Sequence, residues 1–277
     1  MNRFQSKLRI AGWMLALSLV VLLIPGGLAA KEGLPGAAHS DSSAPPKQPQ
    51  SVVPVPISES WWTTMHETLV QQARSIHPDV AFFGDSITAY MNVDLLHKII
   101  GKGALNFGIP GDETQHLLWR MRNGELDFSP PVPRTFVVLI GTNNMTKWGT
   151  APLAPGEKEP KRISVVNCTN EETFLGVQAC VKELRARMPQ SKILLLGILP
   201  RDGTPDATSR QRIKDINTLV KGLADNKHIW YADIGKSMLE PDGSISRQVM
   251  ADFLHPTRFK GYTLMFTAIK PHLDSML

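Results

Sequence analysis

Short apolar runs alternate with stretches of helical period along most of this 277-residue chain, and that alternation leaves few folds open. Residues 80–83, 104–107, 135–140, 192–196 and 228–231 read as five strands. The run Phe136-Val137-Val138-Leu139-Ile140 has no polar face, which suits a parallel strand covered on both sides. Helices are expected at 60–76, after Phe83, and at 114–122, 169–188, 209–224 and 256–275. The first carries Trp62, Met65, Leu69 and Ala73 on one side. Strands and helices in this order predict an α/β fold built on a doubly wound parallel sheet. In such a sheet, reactive groups gather beyond the carboxyl ends of the strands.

The first fifty-odd residues stand apart from this pattern. Arg3, Lys7 and Arg9 precede an apolar run over 10–24, then Pro25-Gly26-Gly27 and the small residues Ala29 and Ala30. This is the pattern of a secretory signal peptide over 1–30, and it predicts a periplasmic or secreted protein. The apolar run is shorter than the roughly 20 residues that span a bilayer, so a retained N-terminal anchor is the lesser alternative. Residues 31–56, rich in Pro, Ser, Ala and Gly, are expected to form a disordered linker. The folded domain is then 57–277, large enough for one full core. Three of the five net positive charges lie in the leader, and the +2 that remains argues against nucleic acid as a partner.

Ser86 follows the first predicted strand directly, in Phe82-Phe83-Gly84-Asp85-Ser86-Ile87-Thr88, where an α/β enzyme presents a nucleophile. Gly111 and Asn143 likewise lie just past predicted strand ends. Acyl transfer needs a nucleophile, a base, an orienter for the base, and donors for the oxyanion. Asp252-Phe253-Leu254-His255 supplies the base and its orienter, because three-residue spacing lets a turn fold Asp252 back onto Nδ1 of His255. The Ser86 N–H, the Gly111 N–H and the Asn143 amide are candidate oxyanion donors. No convincing third ligand accompanies Asp252 and His255, so neither metal nor other cofactor is expected.

Four segments together resemble the blocks of the SGNH hydrolases, also called GDSL esterases. They are Phe83-Gly84-Asp85-Ser86, Asn106 to Asp112, Gly141-Thr142-Asn143-Asn144 and Asp252 to His255. Leu118-Trp119-Arg120, Asn123-Gly124-Glu125-Leu126 and Leu196 to Arg201 resemble the branch that holds the catalytic subunits of intracellular platelet-activating-factor acetylhydrolase. The resemblance implies a flavodoxin-like three-layer α/β/α fold with a five-stranded parallel sheet and a metal-free mechanism. It also implies hydrolysis of small acyl esters by a Ser86–His255–Asp252 triad, with Ser86, Gly111 and Asn143 as oxyanion hole. The alternative is a carbohydrate O-acetyltransferase or O-acetylesterase acting on cell-envelope or plant glycans. The alcohol half of the ester (glycan, lipid or simple) and the oligomeric state are not readable.

Two features depart from that branch, and two residue pairs carry readings of their own. Pro110 stands before Gly111, and residues 147–168 form an insertion expected to loop beside the site. His116 and Arg120 share a helix face, where a solvated or supporting role is expected. Cys168 and Cys180 invite a disulfide in an exported chain. Against the bond, Thr169 to Glu172 reads as a capping box. A helix starting there would hold the two Cα atoms about 18 Å apart, beyond the roughly 4.4–6.8 Å that a disulfide spans.

Overall fold

Helices cover both faces of the sheet, and the strand sequences show why. The computed structural model describes residues 48–101, 103–150 and 162–277. The expected signal peptide and most of the expected linker lie outside these residues. In chain order the elements are α1 (Ser60–Ser75), β1 (Val80–Gly84), α2 (Ser86–Ala89), α3 (Val93–Ile99), β2 (Ala104–Gly108), α4 (Thr114–Arg120) and β3 (Thr135–Leu139). There follow α5 (Thr142–Met145), β4 (Thr146–Thr150), β5 (Arg162–Val166), α6 (Asn170–Arg187), β6 (Lys192–Leu196), α7 (Thr208–Lys221), β7 (Ile229–Ala232) and α8 (Lys260–Asp274).

Five strands form one parallel sheet in the order β2-β1-β3-β6-β7. Counted along the sheet this is the flavodoxin-like order 2-1-3-4-5, whose switch point lies between the first and third strands. Successive side chains on a strand point to opposite faces. Ala81 and Phe83 of β1 therefore join Phe107, Phe136, Val138 and Leu195 in one core, closed by Trp62, Leu117, Val177 and Ile213. Val80 and Phe82 join Val137, Leu139, Leu194 and Leu196 in the other, closed by Leu96, Tyr262, Phe266 and Ile269. All five residues of β1 are buried, as a strand covered on both faces requires.

Several expectations are corrected. Residues 48–56, expected as the end of a linker, are docked on the domain, and a 3-10 turn at Gln50–Val52 buries Ser51. The Ser51 hydroxyl donates to Glu172 O at 2.6 Å, and its carbonyl accepts from Thr114 Oγ1 at 2.9 Å. The insertion begins and ends in strand: β4 and β5 pair antiparallel, Thr146 opposite Val166. Residues 151–161 between them lie outside the described residues. The last helix starts at Lys260, four residues later than expected, after a turn in which the Thr257 N–H bonds Val249 O at 2.7 Å. The capping box is as read: Glu172 N–H donates to Thr169 Oγ1 at 3.1 Å and Thr169 N–H to Glu172 Oε2 at 2.8 Å. With α6 fixed by that cap, Cys168 and Cys180 are both free and buried.

Candidate active site

Ser86 stands at the switch point because two glycines let α2 sit against the strand ends. A Cβ on Gly84 would lie 2.3 Å from Leu139 O, and one on Gly108 would lie 2.3 Å from Ala89 N. Asp85 then caps α2, its Oδ1 accepting from the Ile87 N–H at 2.9 Å. Asn106 fastens the other end of the turn, donating through Nδ2 to Thr88 O at 2.7 Å and accepting from the Gly108 N–H at 2.9 Å. From α8, the Tyr262 hydroxyl donates to Ile87 O at 2.8 Å.

His255 reaches this serine from the chain's far end, Nε2 lying 2.8 Å from Ser86 Oγ. Its Nδ1 lies 2.6 Å from Asp252 Oδ2. A turn makes this geometry: Phe253 adopts a positive φ of 59° and Asp252 Oδ1 accepts from the Leu254 and His255 N–H groups at 3.1 and 2.8 Å. Partial burial would raise the Asp252 pKa, but the His255 ring and these two N–H groups outweigh it and hold the carboxyl below its ordinary value. The three predicted residues are thus brought into one hydrogen-bonded chain.

Pro110 and Gly111 form the central pair of a turn in which the Asp112 N–H meets Ile109 O at 3.4 Å. Proline suits the first central position, and the Gly111 φ of 82° suits the second. The departure at Pro110 therefore serves the turn that presents Gly111. Neither the Gly111 nor the Ser86 N–H has a partner among the described residues. Asn143 Nδ2 donates to Asp112 O at 2.9 Å, which orients the amide and leaves its second N–H for a ligand. Arg201, beyond β6, braces the turn that carries Asn143, donating to Thr142 O at 3.2 Å.

Beside His255 lies a groove of about 490 Å³ lined by Tyr90, Val93, Pro256 and Arg258 among others. The Tyr90 ring is half exposed, and its centroid lies 5.3 Å from that of the imidazole. Asn144-Met145-Thr146 fits the N-glycosylation pattern, but Asn144 is fully buried and bonded to Thr114 and Gln115, which closes it to a glycan. Among the described residues, no cluster of three or more His, Cys, Asp or Glu is placed to hold a metal ion.

The sequence reading missed what lies beneath the site. Arg120 is not a solvated residue; it is 0% exposed and joined to Asp112 and Glu125. The signal was available in the Asn123-Gly124 break, because a helix that ends there turns Glu125 back toward Arg120. His116 shares the face only in part: its Nδ1 accepts from the Glu113 N–H at 3.0 Å, and burial, with Arg120 nearby, pushes its pKa down to about 4.

Fold and site together define a carboxylic ester hydrolase. The chain belongs to the GDSL-like lipase/acylhydrolase family, whose model matches residues 82–263. It is 32% identical over 219 residues to platelet-activating factor acetylhydrolase IB subunit alpha1 of Homo sapiens, covering 78% of this chain and 84% of that protein. To the alpha2 subunit of the same organism it is 35% identical over 199 residues, covering 71% and 76%. Among solved structures, a GDSL-like lipase from Bacteroides thetaiotaomicron shares the fold, with a TM-score of 0.56 at 20% identity over 78% of this chain and 97% of that one.

Proposed function

We propose that this chain is an exported serine esterase that removes short acyl groups, acetyl foremost, from an alcohol. The observation that carries the reading is the hydrogen-bonded run from Ser86 Oγ through His255 to Asp252, at 2.8 and 2.6 Å. Asp252 accepts the Nδ1–H and so leaves Nε2 as the basic nitrogen. As Ser86 Oγ bonds to the acyl carbon, Nε2 takes its proton. The carbonyl oxygen becomes an oxyanion facing the Ser86 and Gly111 N–H groups and the Asn143 amide. Collapse breaks the ester bond, and Nε2 returns the proton to the departing alcohol. Water, deprotonated by the same nitrogen, then releases the acid and frees the serine. The acetyl preference draws support from the relatives named acetylhydrolases, and export from the pattern of residues 1–30.

The test is hydrolysis of a chromogenic acetate by the purified protein. Ser86→Ala is expected to lower kcat by about 10⁴-fold or more, and turnover near the wild-type rate would sink the assignment. The groove beside His255 favours a second reading, in which a carbohydrate alcohol seated there accepts the acetyl group in place of water. Product analysis with an added glycan separates the two: an acetylated glycan supports transfer, and free acetate alone supports hydrolysis.

A further inference from the structure

Five buried side chains beneath the site have no role in the chemistry above. Arg120 Nε donates to Asp112 Oδ2 at 2.7 Å, and Nη1 donates to Glu125 Oε2. The guanidinium also reaches two backbone carbonyls, Gly84 O from Nη2 and Phe107 O from Nη1, each at 3.1 Å. Trp62 Nε1 donates to the remaining Asp112 oxygen at 2.7 Å, and His66 Nδ1 lies 2.8 Å from Glu125 Oε1.

The carbonyls that Arg120 holds are informative. Gly84 ends β1, two residues before Ser86, and Phe107 lies near the end of β2, four residues before Gly111. Asp112 follows Gly111 and offers its own carbonyl to Asn143. One planar cation is therefore bonded to the strand end behind the nucleophile and to the loop carrying the oxyanion donors. We propose that Arg120 is a positioning residue that fixes the nucleophile turn relative to the oxyanion loop, and that Asp112 passes this constraint to Asn143. The proposal rests on the roles given above to Ser86, Gly111 and Asn143.

Stability alone is a poor reason for such a cluster. Buried ion pairs often contribute no more than apolar residues of equal volume, because desolvation offsets their attraction. The fold also bends to build it. After α4 the chain passes through Asn123 and Gly124, the latter at a φ of 111°, and this returns Glu125 to the core. Burial disfavours the Arg120 charge, but Asp112 and Glu125 outweigh it and hold the guanidinium firmly protonated. Lysine would keep the charge but has no planar fork with which to bridge carboxylate and carbonyl partners at once.

The experiment compares Arg120→Lys, Trp62→Phe, Asn143→Ala and the Trp62→Phe/Asn143→Ala double variant on a chromogenic acetate. Thermal melts establish the folded fraction of each. Folded Arg120→Lys is expected to lose about tenfold to a hundredfold in kcat, with KM changed by less than about threefold, as a small misplacement of reacting groups would give. A folded Arg120→Lys protein with wild-type kcat would overturn the proposal. If that variant does not fold, the cycle decides. Trp62→Phe removes one donor to Asp112 and should lower kcat about fivefold in wild type, but much less when Asn143 is already alanine. Additive losses, or no loss in Trp62→Phe, would overturn the idea. None of these outcomes depends on the Ser86→Ala result, so the reading of the site and the role of Arg120 fail separately.

Discussion

Asp85 sits beside the proposed nucleophile with its carboxyl sealed from solvent. Burial lifts its pKa to about 7, against the pull of the Ile87 N–H. The folded protein therefore holds a proton on Asp85 that the unfolded chain releases near pH 4. The stability this group contributes is complete below that pH and is lost as pH rises through about 7. Asp85→Asn keeps the acceptor for Ile87 without the charge. Its melting temperature relative to wild type should rise steadily from pH 4 to pH 8 in a series of thermal melts. A flat difference would mean that Asp85 is ionised in both states. At Asn143 the expectation concerns rate: alanine removes one oxyanion donor and should lower kcat by about 10²–10³-fold, measured on a simple acetate with KM recorded alongside.

At the scale of elements, α2 is pinched between two strand ends, and only glycine permits that approach. The atoms facing Gly108 are backbone, so they cannot rotate aside. Gly108→Ala is expected to cost about 1–3 kcal/mol or more, lowering the denaturation midpoint at unchanged slope. This part of the architecture was legible in the sequence, because apolar runs bounded by Gly84 and Gly108 mark strands and tight turns together. The Asp252 to His255 turn was legible too, since spacing alone placed one side chain beside the other. The β4–β5 pairing was not. Its residues carry neither a continuous apolar run nor a clean alternation, and antiparallel partners at the two ends of an insertion share no local period. The docking of Ser51 was hidden because it rests on a hydroxyl and a carbonyl meeting α6 and α4, contacts that leave no mark on hydropathy. For Arg120 the supporting role, one of the two expected, is the one the fold builds, but its burial was hidden: a charged residue is exposed by default, and its partners come from three separate segments of chain.

For the whole molecule, the two cysteines bear on where the protein works. A chain carried into an oxidising compartment would ordinarily use a pair of cysteines as a cross-link. Here α6 begins at Asn170, and the thiols stay apart: Cys180 is fully buried, its Sγ 3.4 Å from Thr114 O, and Cys168 is 5% exposed. Burial pushes the Cys180 thiol up to about 12 and raises that of Cys168 as well. The thiolate is the reactive form, so both groups are shielded twice, by lack of access and by lack of ionisation. Stability then comes from the two cores and not from a covalent staple, and neither thiol is open to an oxidant while the fold is closed. The expected result is no reaction with a thiol reagent in the native state and two thiols titrated after denaturation. A melting temperature unchanged by reductant should accompany it. A native protein that yields no thiol after denaturation, and melts lower once reduced, would mean that the start of α6 gives way to bring Cys168 to Cys180.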